Sequence, residues 1–272
     1  MRTIVHLSDL HFGRTDPELV EPLISAIRRL NPTLLAVSGD LTQRARSHQF
    51  REARAFLDAL PQPKIVVPGN HDIPLYNLYN RFFQPLDKYR RHITDDLQPT
   101  YSDDEMIVIG VSTARSLVIK GGRINQAQLA RVNDEFCALP DDVVKILVTH
   151  HPFDLPDGYS DRDLVGRARM AMTGLAECGA DVFLAGHLHV SHTGNTAKRY
   201  QIQGHSALVV QAGTTISTRG RGEANSFNLI HLEHPHITVE RFSWSPASLS
   251  FTITGQEKFQ HSVEGWARVQ AE

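Results

Sequence analysis

The chain has 272 residues, of which 41% are hydrophobic and 21% charged, and its formal net charge is −2. This composition is ordinary for a globular protein, and it lacks the basic excess that proteins binding along DNA or RNA usually show. Because no linker, internal repeat or low-complexity stretch interrupts the chain, we expect one domain over residues 1–272.

Membrane insertion and export are not indicated. No apolar run approaches the roughly 20 residues that a membrane-spanning helix needs, and the first residues run directly into a polar motif at Ser8 and Asp9, which leaves no room for a signal peptide. The cysteines, Cys137 and Cys178, are too few for a disulfide framework. We interpret them as small core residues in helices, and we expect a reducing, cytoplasmic location.

Strands and amphipathic helices alternate through the first part of the chain. A short β-type run at residues 4–7 precedes helical apolar spacing at 17–30, where Asp16 is placed as the N-cap and Pro17 at the first helical position. The pattern repeats with a strand at 34–37, a helix at 50–60 and a strand at 64–67. From 74 to 93 the pattern is helical and rich in aromatic and basic residues, which suits either a lid or partner surface, or a helical insertion packed on its own aromatic side chains. The second interpretation is preferred.

Further strands are expected at 106–111, 143–148 and 181–185, with helices from Asn125 to Leu139 and through Ala176. Residues 208–211, 226–232 and 237–242 alternate apolar and polar side chains, so we expect strands from about 206 onward to be antiparallel and to form part of a second sheet. The tail from Ser243 carries no recognisable motif and stays unassigned.

Polar, metal-capable side chains follow five of these strands directly. Any one of them has an alternative explanation as a turn residue, but strand–helix alternation predicts parallel strands whose carboxyl ends meet at one edge, where ligands bind. The candidate ligands are Asp9 and His11, Asp40, Asn70, His150, and His187 and His189, with His71 beside them as a residue able to transfer a proton.

These side chains predict the kind of site. The set contains two carboxylates, one amide oxygen and four imidazoles, which are more ligands than one cation needs. Because it contains no thiolate, a structural zinc site of the cysteine-rich type is not indicated. Mixed oxygen and nitrogen donors suit transition metals, with Mn, Fe or Zn preferred. We therefore expect two divalent or trivalent ions about 3.5–4 Å apart, bridged by one carboxylate, and Asp40 is the natural bridge.

The order of these motifs resembles the calcineurin-like metallophosphoesterase superfamily from residue 6 to about 190. Along the chain the motifs are Asp-x-His, Gly-Asp, Gly-Asn-His-Asp, His before x-Pro, and Gly-His-x-His. The resemblance implies an α/β fold, a four-layer αββα sandwich with two mixed sheets flanked by helices. By motif, one metal would be held by Asp9, His11, Asp40 and His189, and the other by Asp40, Asn70, His150 and His187. His150 is preferred to His151 because the family ligand lies two residues before the proline.

The resemblance also implies a mechanism, in which a hydroxide bridging the metals attacks phosphorus and His71 protonates the leaving oxygen or stabilises the phosphoryl group. Asp72 is expected to orient His71 because the two are adjacent. Gln43 stands where the protein phosphatases of the superfamily carry an aspartate. The chain is therefore more similar to bacterial class III cyclic-nucleotide phosphodiesterases. Arg44, Arg219 and Arg221 are candidates to reach a phosphate, but the preferred interpretation is that they are solvated, and none is assigned to the site.

The leading hypothesis is a dinuclear phosphodiesterase for small phosphodiesters, with 3′,5′-cyclic nucleotides as the first guess. The alternatives are a metal-dependent nuclease, which the charge does not indicate, a phosphomonoesterase of the same superfamily, and a binding scaffold built on a relic metal site. The scaffold is disfavoured because all the motif positions are present. Oligomerisation is left open.

Overall fold

The computed structural model describes residues 1–118, 120–220 and 222–269. In these residues the strands are β1 (Arg2–Leu7), β2 (Leu34–Val37), β3 (Lys64–Val66), β4 (Thr100–Ser102), β5 (Met106–Gly110), β6 (Val144–Val148), β7 (Val182–Ala185), β8 (His192–Asn195), β9 (Leu208–Gln211), β10 (Ser226–Glu233), β11 (His236–Ser245), β12 (Ser250–Ser262) and β13 (Gly265–Arg268). The helices are α1 (Pro17–Leu30), α2 (Ser47–Ala59), α3 (Leu78–Phe83), α4 (Asp87–His92), α5 (Gln126–Cys137), α6 (Ala168–Glu177) and α7 (Ala197–Tyr200). Single 3₁₀ turns cover Asn70–Asp72 and Asp161–Asp163.

The strands form two mixed sheets. The first has the order β13-β12-β11-β10-β1-β2-β3, and the second has the order β4-β5-β6-β7-β9-β8. Within the first sheet β1, β2 and β3 are parallel, and within the second β5, β6, β7 and β9 are parallel. The remaining pairs are antiparallel.

Three apolar clusters hold four layers together. Between the sheets, Ile4 and Ala36 of the first sheet belong to the same buried cluster as Val148 and Leu184 of the second. Helices α1 and α2 cover the outer face of the first sheet, and α5 and α6 cover the outer face of the second. The predicted αββα sandwich with two mixed sheets is therefore confirmed.

The caps that start two of these helices match the sequence pattern. Asp16 accepts a hydrogen bond from the amide of Glu18 at the start of α1, and Asn125 accepts one from the amide of Gln128 at the start of α5. Each cap satisfies an amide that would otherwise lack a partner in the first helical turn. The two caps fix the residues at which α1 and α5 begin.

The sheet assignment after residue 206 is only partly correct. Strand β9 joins the second sheet, but it lies parallel to β7. Strands β10 and β11 belong to the first sheet, where β10 pairs antiparallel with β1. Alternation reports that one face of a strand is buried, and it does not report which sheet has a free edge. Here Ile230 pairs opposite Ile4 and reaches the same core between the sheets.

The segment from 74 to 93 contains two short helices instead of one longer helix. Tyr79 and Phe83 pack on each other with ring centroids 5.2 Å apart, but they and Tyr76 are largely exposed. Packing of the insertion on its own aromatic side chains is therefore only partly correct. Tyr89 is buried and donates a hydrogen bond to the carbonyl of Val66. The segment is thus anchored on the first sheet and leaves an apolar surface open.

The interpretation of the cysteines as small core residues is confirmed for Cys178, which is buried in an apolar cluster, and is wrong for Cys137. Cys137, at the end of α5, is exposed and forms a disulfide with Cys178, which directly follows α6. The two helices pack side by side on the second sheet, and this brings their last turns together, a proximity that sequence spacing does not reveal. None of the helices in the described ranges has the length and apolar character that crossing a membrane requires.

Candidate metal centre

The predicted ligands lie together where the parallel strands of both sheets end. Around Asp9 Oδ1, the Nε2 atoms of His11 and His189 lie 3.5 Å away. The same His11 Nε2 atom lies 3.7 Å from Asp40 Oδ2. These four side chains, which come from the ends of β1, β2 and β7, form one group of converging oxygen and nitrogen atoms.

The second group surrounds the other oxygen of the same carboxylate. Asp40 Oδ1 lies 3.4 Å from His150 Nε2, and that nitrogen lies 3.2 Å from Asn70 Oδ1. The ring of His187 packs against the ring of His150, with their centroids 5.1 Å apart. The two oxygens of Asp40 therefore face different sets of side chains, as a bridging carboxylate requires.

Several buried atoms of the site lack a partner within the protein. Asp9 Oδ1 and both ring nitrogens of His11 are buried without a hydrogen bond among the described residues. Buried polar atoms are nearly always satisfied, so orphaned ones call for an explanation. Their position, aimed at neighbouring carboxylate and imidazole groups, fits a site that holds a metal ion.

The opposite ring nitrogens are fixed by hydrogen bonds. His150 donates from Nδ1 to the carbonyl of Ser38 at 2.7 Å, and His189 Nδ1 pairs with Thr214 Oγ1 at 2.8 Å. Such contacts orient an imidazole and direct its Nε2 toward the other ligand atoms. Thr214 follows β9, far along the chain, and no sequence signal indicated it.

Burial and the neighbouring carboxylates have opposite effects on the pKa values of the imidazoles in the site. Although burial opposes the imidazolium form, Asp40 and Asp9 raise the pKa of His150 to about 9. Burial lowers the pKa of His187 to about 3 and that of His189 to about 4. These two rings are therefore neutral near pH 7, the form in which an imidazole binds a metal.

His151 lies close enough to His150 and His187 to be considered a ligand, but its ring is already engaged. Nε2 donates to the carbonyl of Lys120 at 3.1 Å, and Nδ1 accepts from Thr113 Oγ1 at 2.8 Å. Coordination through either nitrogen would break one of these bonds. This arrangement favours His150 as the ligand from the His-His-x-Pro motif.

His71 lies at the mouth of the site, and its partners differ from those expected. Its Nδ1 donates to the carbonyl of Gln43 at 2.9 Å, so the main chain orients the ring. Asp72 was expected to do so and does not. Its carboxylate instead accepts from the amides of Gly69, Leu41 and Thr42, which ties the loops after β2 and β3 together.

Arg219 is the main functional candidate that sequence reasoning set aside. Its Nη1 donates to His71 Nε2 at 2.9 Å, and Arg44 Nη1 lies 3.4 Å from His71 Nδ1. Both side chains are half-buried, so the interpretation of these two as solvated is wrong. Arg221 lies outside the described residues. The glycine-rich turn that carries Arg219 was the available signal.

Comparison with known proteins identifies the family to which the chain belongs. A family model described as calcineurin-like phosphoesterase matches residues 2–191. A glycerophosphodiester phosphodiesterase GpdQ from Enterobacter lignolyticus is 31% identical over 80 residues, which cover 25% of this chain and 29% of the relative. A probable glycerophosphodiester phosphodiesterase GpdQ from Arcobacter nitrofigilis is 24% identical over 186 residues, which cover 62% of this chain and 64% of the relative. The chain thus spans less than two thirds of either relative.

Solved structures share the fold at low identity. Purple acid phosphatase PPD1 from yellow lupin (Lupinus luteus) seeds has a TM-score of 0.69 at 10% identity, covering 94% of this chain and 53% of its own. A dimetal phosphatase from Danio rerio has a TM-score of 0.64 at 15% identity, covering 93% of this chain and 98% of its own. The family model covers well over half of the residues, and the chain therefore belongs to the calcineurin-like phosphoesterase family.

Proposed function

We propose that this protein is a dinuclear, metal-dependent phosphodiesterase that hydrolyses small phosphodiesters. The observation that carries the proposal is the position of Asp40, whose Oδ1 and Oδ2 atoms face two separate groups of ligand atoms. One ion would be held by Asp9, His11, Asp40 and His189. The other would be held by Asp40, Asn70, His150 and His187.

The donor set supports Mn, Fe or Zn, because it mixes imidazole nitrogen with carboxylate and amide oxygen and contains no thiolate. When bound, a pair of such ions activates water near neutral pH and offsets the charge of a phosphate. The protein would contribute the Asp40 carboxylate, which lies between the two groups of ligand atoms, and the imidazoles of His150 and His189, which hydrogen bonds hold in place.

The residues at the mouth of the site would bind the phosphate and handle the proton of the leaving group. Arg219 presents a guanidinium, which matches the geometry of phosphate oxygens. His71 is held through Nδ1 by the Gln43 carbonyl, so Nε2 is the atom that would carry a proton to the leaving oxygen. Catalysis through His71 therefore requires that Arg219 shift its contact from this nitrogen to the phosphate.

A diester is favoured over a monoester by the space beside His71. A cavity of about 200 Å³, bounded by Gln43, Ile73 and Leu75, adjoins the smaller cavity of about 120 Å³ at the metal ligands. The second ester substituent of a diester needs a cavity of its own, whereas a monoester has one substituent and needs no second cavity. The relatives named as glycerophosphodiester phosphodiesterases support the same choice.

The test is hydrolysis of bis(4-nitrophenyl) phosphate against 4-nitrophenyl phosphate after reconstitution with Mn²⁺. We expect a clear preference for the diester, and we expect His71→Ala to lose at least about a hundredfold in kcat, a loss within the range for a general acid. Bound metal, measured by elemental analysis, should stay the same in this variant. Preference for the monoester would instead place the protein among the phosphatases.

The natural substrate is tested separately. We propose 3′,5′-cyclic nucleotides as the first compounds to assay, because the Gly39-Asp40-Leu41-Thr42 motif is similar to that of the class III phosphodiesterases. Activity on the aryl diester alone would leave this choice without support. Metal- and His71-dependent cleavage of long DNA or RNA would replace the small-molecule assignment with a nuclease.

A further inference from the structure

The cavity beside His71 carries an unusual charge. Its lining includes four cationic side chains, Arg44, Arg81, Lys120 and Arg219, and none of the described residues that line it is acidic. Some arginines elsewhere in the described residues pair with carboxylates, as Arg54 does with Asp58. Within the described ranges, none of the four cations around the cavity takes part in an ion pair with a carboxylate.

Arg81 is the most informative of the four because it is buried, with only 6% of its surface exposed. Its guanidinium donates from Nη1 to the carbonyl of Pro74 and from Nη2 to the carbonyl of Val118. These bonds fix the group in place without compensating its charge. Burying a cation without an anion is costly, so a site that keeps one is suited to an anionic ligand.

Arg44 and Lys120 complete the charged wall from two sides. The Arg44 guanidinium lies 5.9 Å from the centre of the Tyr76 ring and donates to the carbonyl of Gln43. Lys120 is exposed and lines both this cavity and the one at the metal ligands. The two cavities therefore adjoin each other, and an anion in one would lie next to a phosphate in the other.

The scissile diester cannot account for this charge. A phosphodiester carries a single negative charge, and Arg219 together with the metal ions already complements it. Arg219 is attracted by the carboxylates of Asp40 and Asp9. Both of these carboxylates are proposed metal ligands. Arg44, Arg81 and Lys120 would still face the leaving group without an opposite charge.

We propose that this cavity binds a second phosphate, carried by the alcohol that leaves during hydrolysis. The inference rests on the proposed phosphodiesterase function and narrows its substrates to diesters with a further phosphate on the leaving side. Arg44 and Lys120 bind the oxygens of that phosphate, and Arg81 supplies fixed positive charge behind them.

The test compares three dinucleotides that differ only in a terminal phosphate: TpT, TpTp and pTpT. We expect one of the two phosphorylated forms, the one whose phosphate falls on the leaving side, to exceed TpT in kcat/KM by about tenfold or more, because a charge-assisted contact is worth at least this factor. The ratio of kcat/KM for the preferred phosphorylated dinucleotide to kcat/KM for TpT should fall toward one in Arg44→Gln and in Lys120→Gln. Arg29→Gln, an exposed arginine of α1, should leave both the activity and the ratio unchanged.

A binding measurement separates this inference from the function on which it rests. Calorimetry with thymidine 3′,5′-bisphosphate and with thymidine 5′-monophosphate should show tighter binding of the bisphosphate, and the difference should shrink in Lys120→Gln. Equal affinities, or equal kcat/KM for all three dinucleotides, would overturn the second-phosphate site while the aryl diester assay still supports a phosphodiesterase. If the aryl diester is not cleaved, the proposed function fails, and the calorimetric difference alone decides whether the cavity binds phosphate.

Discussion

At the level of single residues, Arg219, which we propose to bind the phosphate, contacts His71, which we propose to protonate the leaving oxygen. Burial lowers the pKa of Arg219, yet a guanidinium keeps its charge at any pH at which the protein is folded. We expect Arg219→Gln to reduce kcat/KM for the aryl diester by about 10- to 100-fold, because a hydrogen bond to a charged group contributes about 1.5–3 kcal/mol. Steady-state kinetics with metal analysis measures this effect.

The matched control for Arg219→Gln is Thr218→Ala in the same turn. Thr218 is exposed, and its hydroxyl bonds only to the main-chain carbonyl of Arg14 among the described residues. This control should retain full activity, and Arg219→Gln should retain its metal. An Arg219→Gln enzyme with unchanged kcat/KM would show that this guanidinium does not bind the phosphate.

Glycines before the ligands allow backbone and side chains to approach closely. A Cβ atom on Gly186 would lie 1.8 Å from Ser8 Oγ and 2.6 Å from Asp9 Oδ2. Ser8 Oγ and the amide of His187 both donate to that oxygen of Asp9. The glycine in Gly-His-x-His, which follows β7 of the second sheet, is therefore needed to position a carboxylate that follows β1 of the first.

We expect Gly186→Ala to displace Asp9 and weaken metal binding, with a loss of folding stability of about 1–3 kcal/mol from overpacking. Metal titration and urea unfolding of the same preparations measure both effects. Gly255→Ala is the control, because a Cβ there would meet nothing nearer than the Arg241 Cβ at 4.0 Å. Full metal affinity in Gly186→Ala would contradict the steric argument.

At the level of helices, the disulfide between Cys137 and Cys178 joins the ends of α5 and α6 across 41 residues of sequence. Closing such a loop restricts the unfolded chain, so we expect Cys137→Ser to lower the free energy of unfolding by about 2–4 kcal/mol. Urea unfolding with and without dithiothreitol measures it. Under reducing conditions the variant and the parent should have the same stability, and a difference there would assign the effect to something other than the bond.

The strands that deliver ligands were predictable because each is a short apolar run ending in glycine or a polar residue. Residues 34–37, for example, were predicted as a strand and form β2. The long-range contacts were not predictable in this way. Thr214 behind His189 and the Gln43 carbonyl behind His71 depend on loops meeting in space, and adjacency wrongly suggested Asp72.

Across the whole molecule, the last strands connect the two sheets. Trp266 of β13, at the edge of the first sheet, is buried and donates from Nε1 to Asp181 Oδ1, just before β7 of the second sheet. The tail from Ser243 offered no motif because its contribution is a hairpin extension with an exposed outer face. Its large buried anchors, Phe251, Phe259 and Trp266, are recognisable only after folding. Asp181 also accepts from the amide of Lys145, so this carboxylate links three strands.

The position of Asp181 predicts a pH dependence of stability that is opposite to that of most carboxylates. Burial raises the pKa of Asp181 to about 6, against smaller opposing effects of its hydrogen bonds, of Lys145 and of His234, whereas the unfolded value is about 3.9. The folded state therefore binds more protons between these values. The contribution of Asp181 to the free energy of unfolding is complete below about pH 4 and falls by about 2–3 kcal/mol as the pH rises through 6.

Urea unfolding of the parent and of Asp181→Asn, both with a metal chelator, should reveal this contribution from pH 4 to pH 8. The asparagine does not titrate, and the other titrating groups cancel in the difference between the two proteins. The parent should lose stability relative to the variant up to about pH 6 to 7 and should then show no further change, because above that range Asp181 is ionised in both states. A difference that is flat, or that grows in favour of the parent with pH, would show that Asp181 is charged in the folded protein across this range and that the bonds from Trp266 and Lys145 compensate its burial.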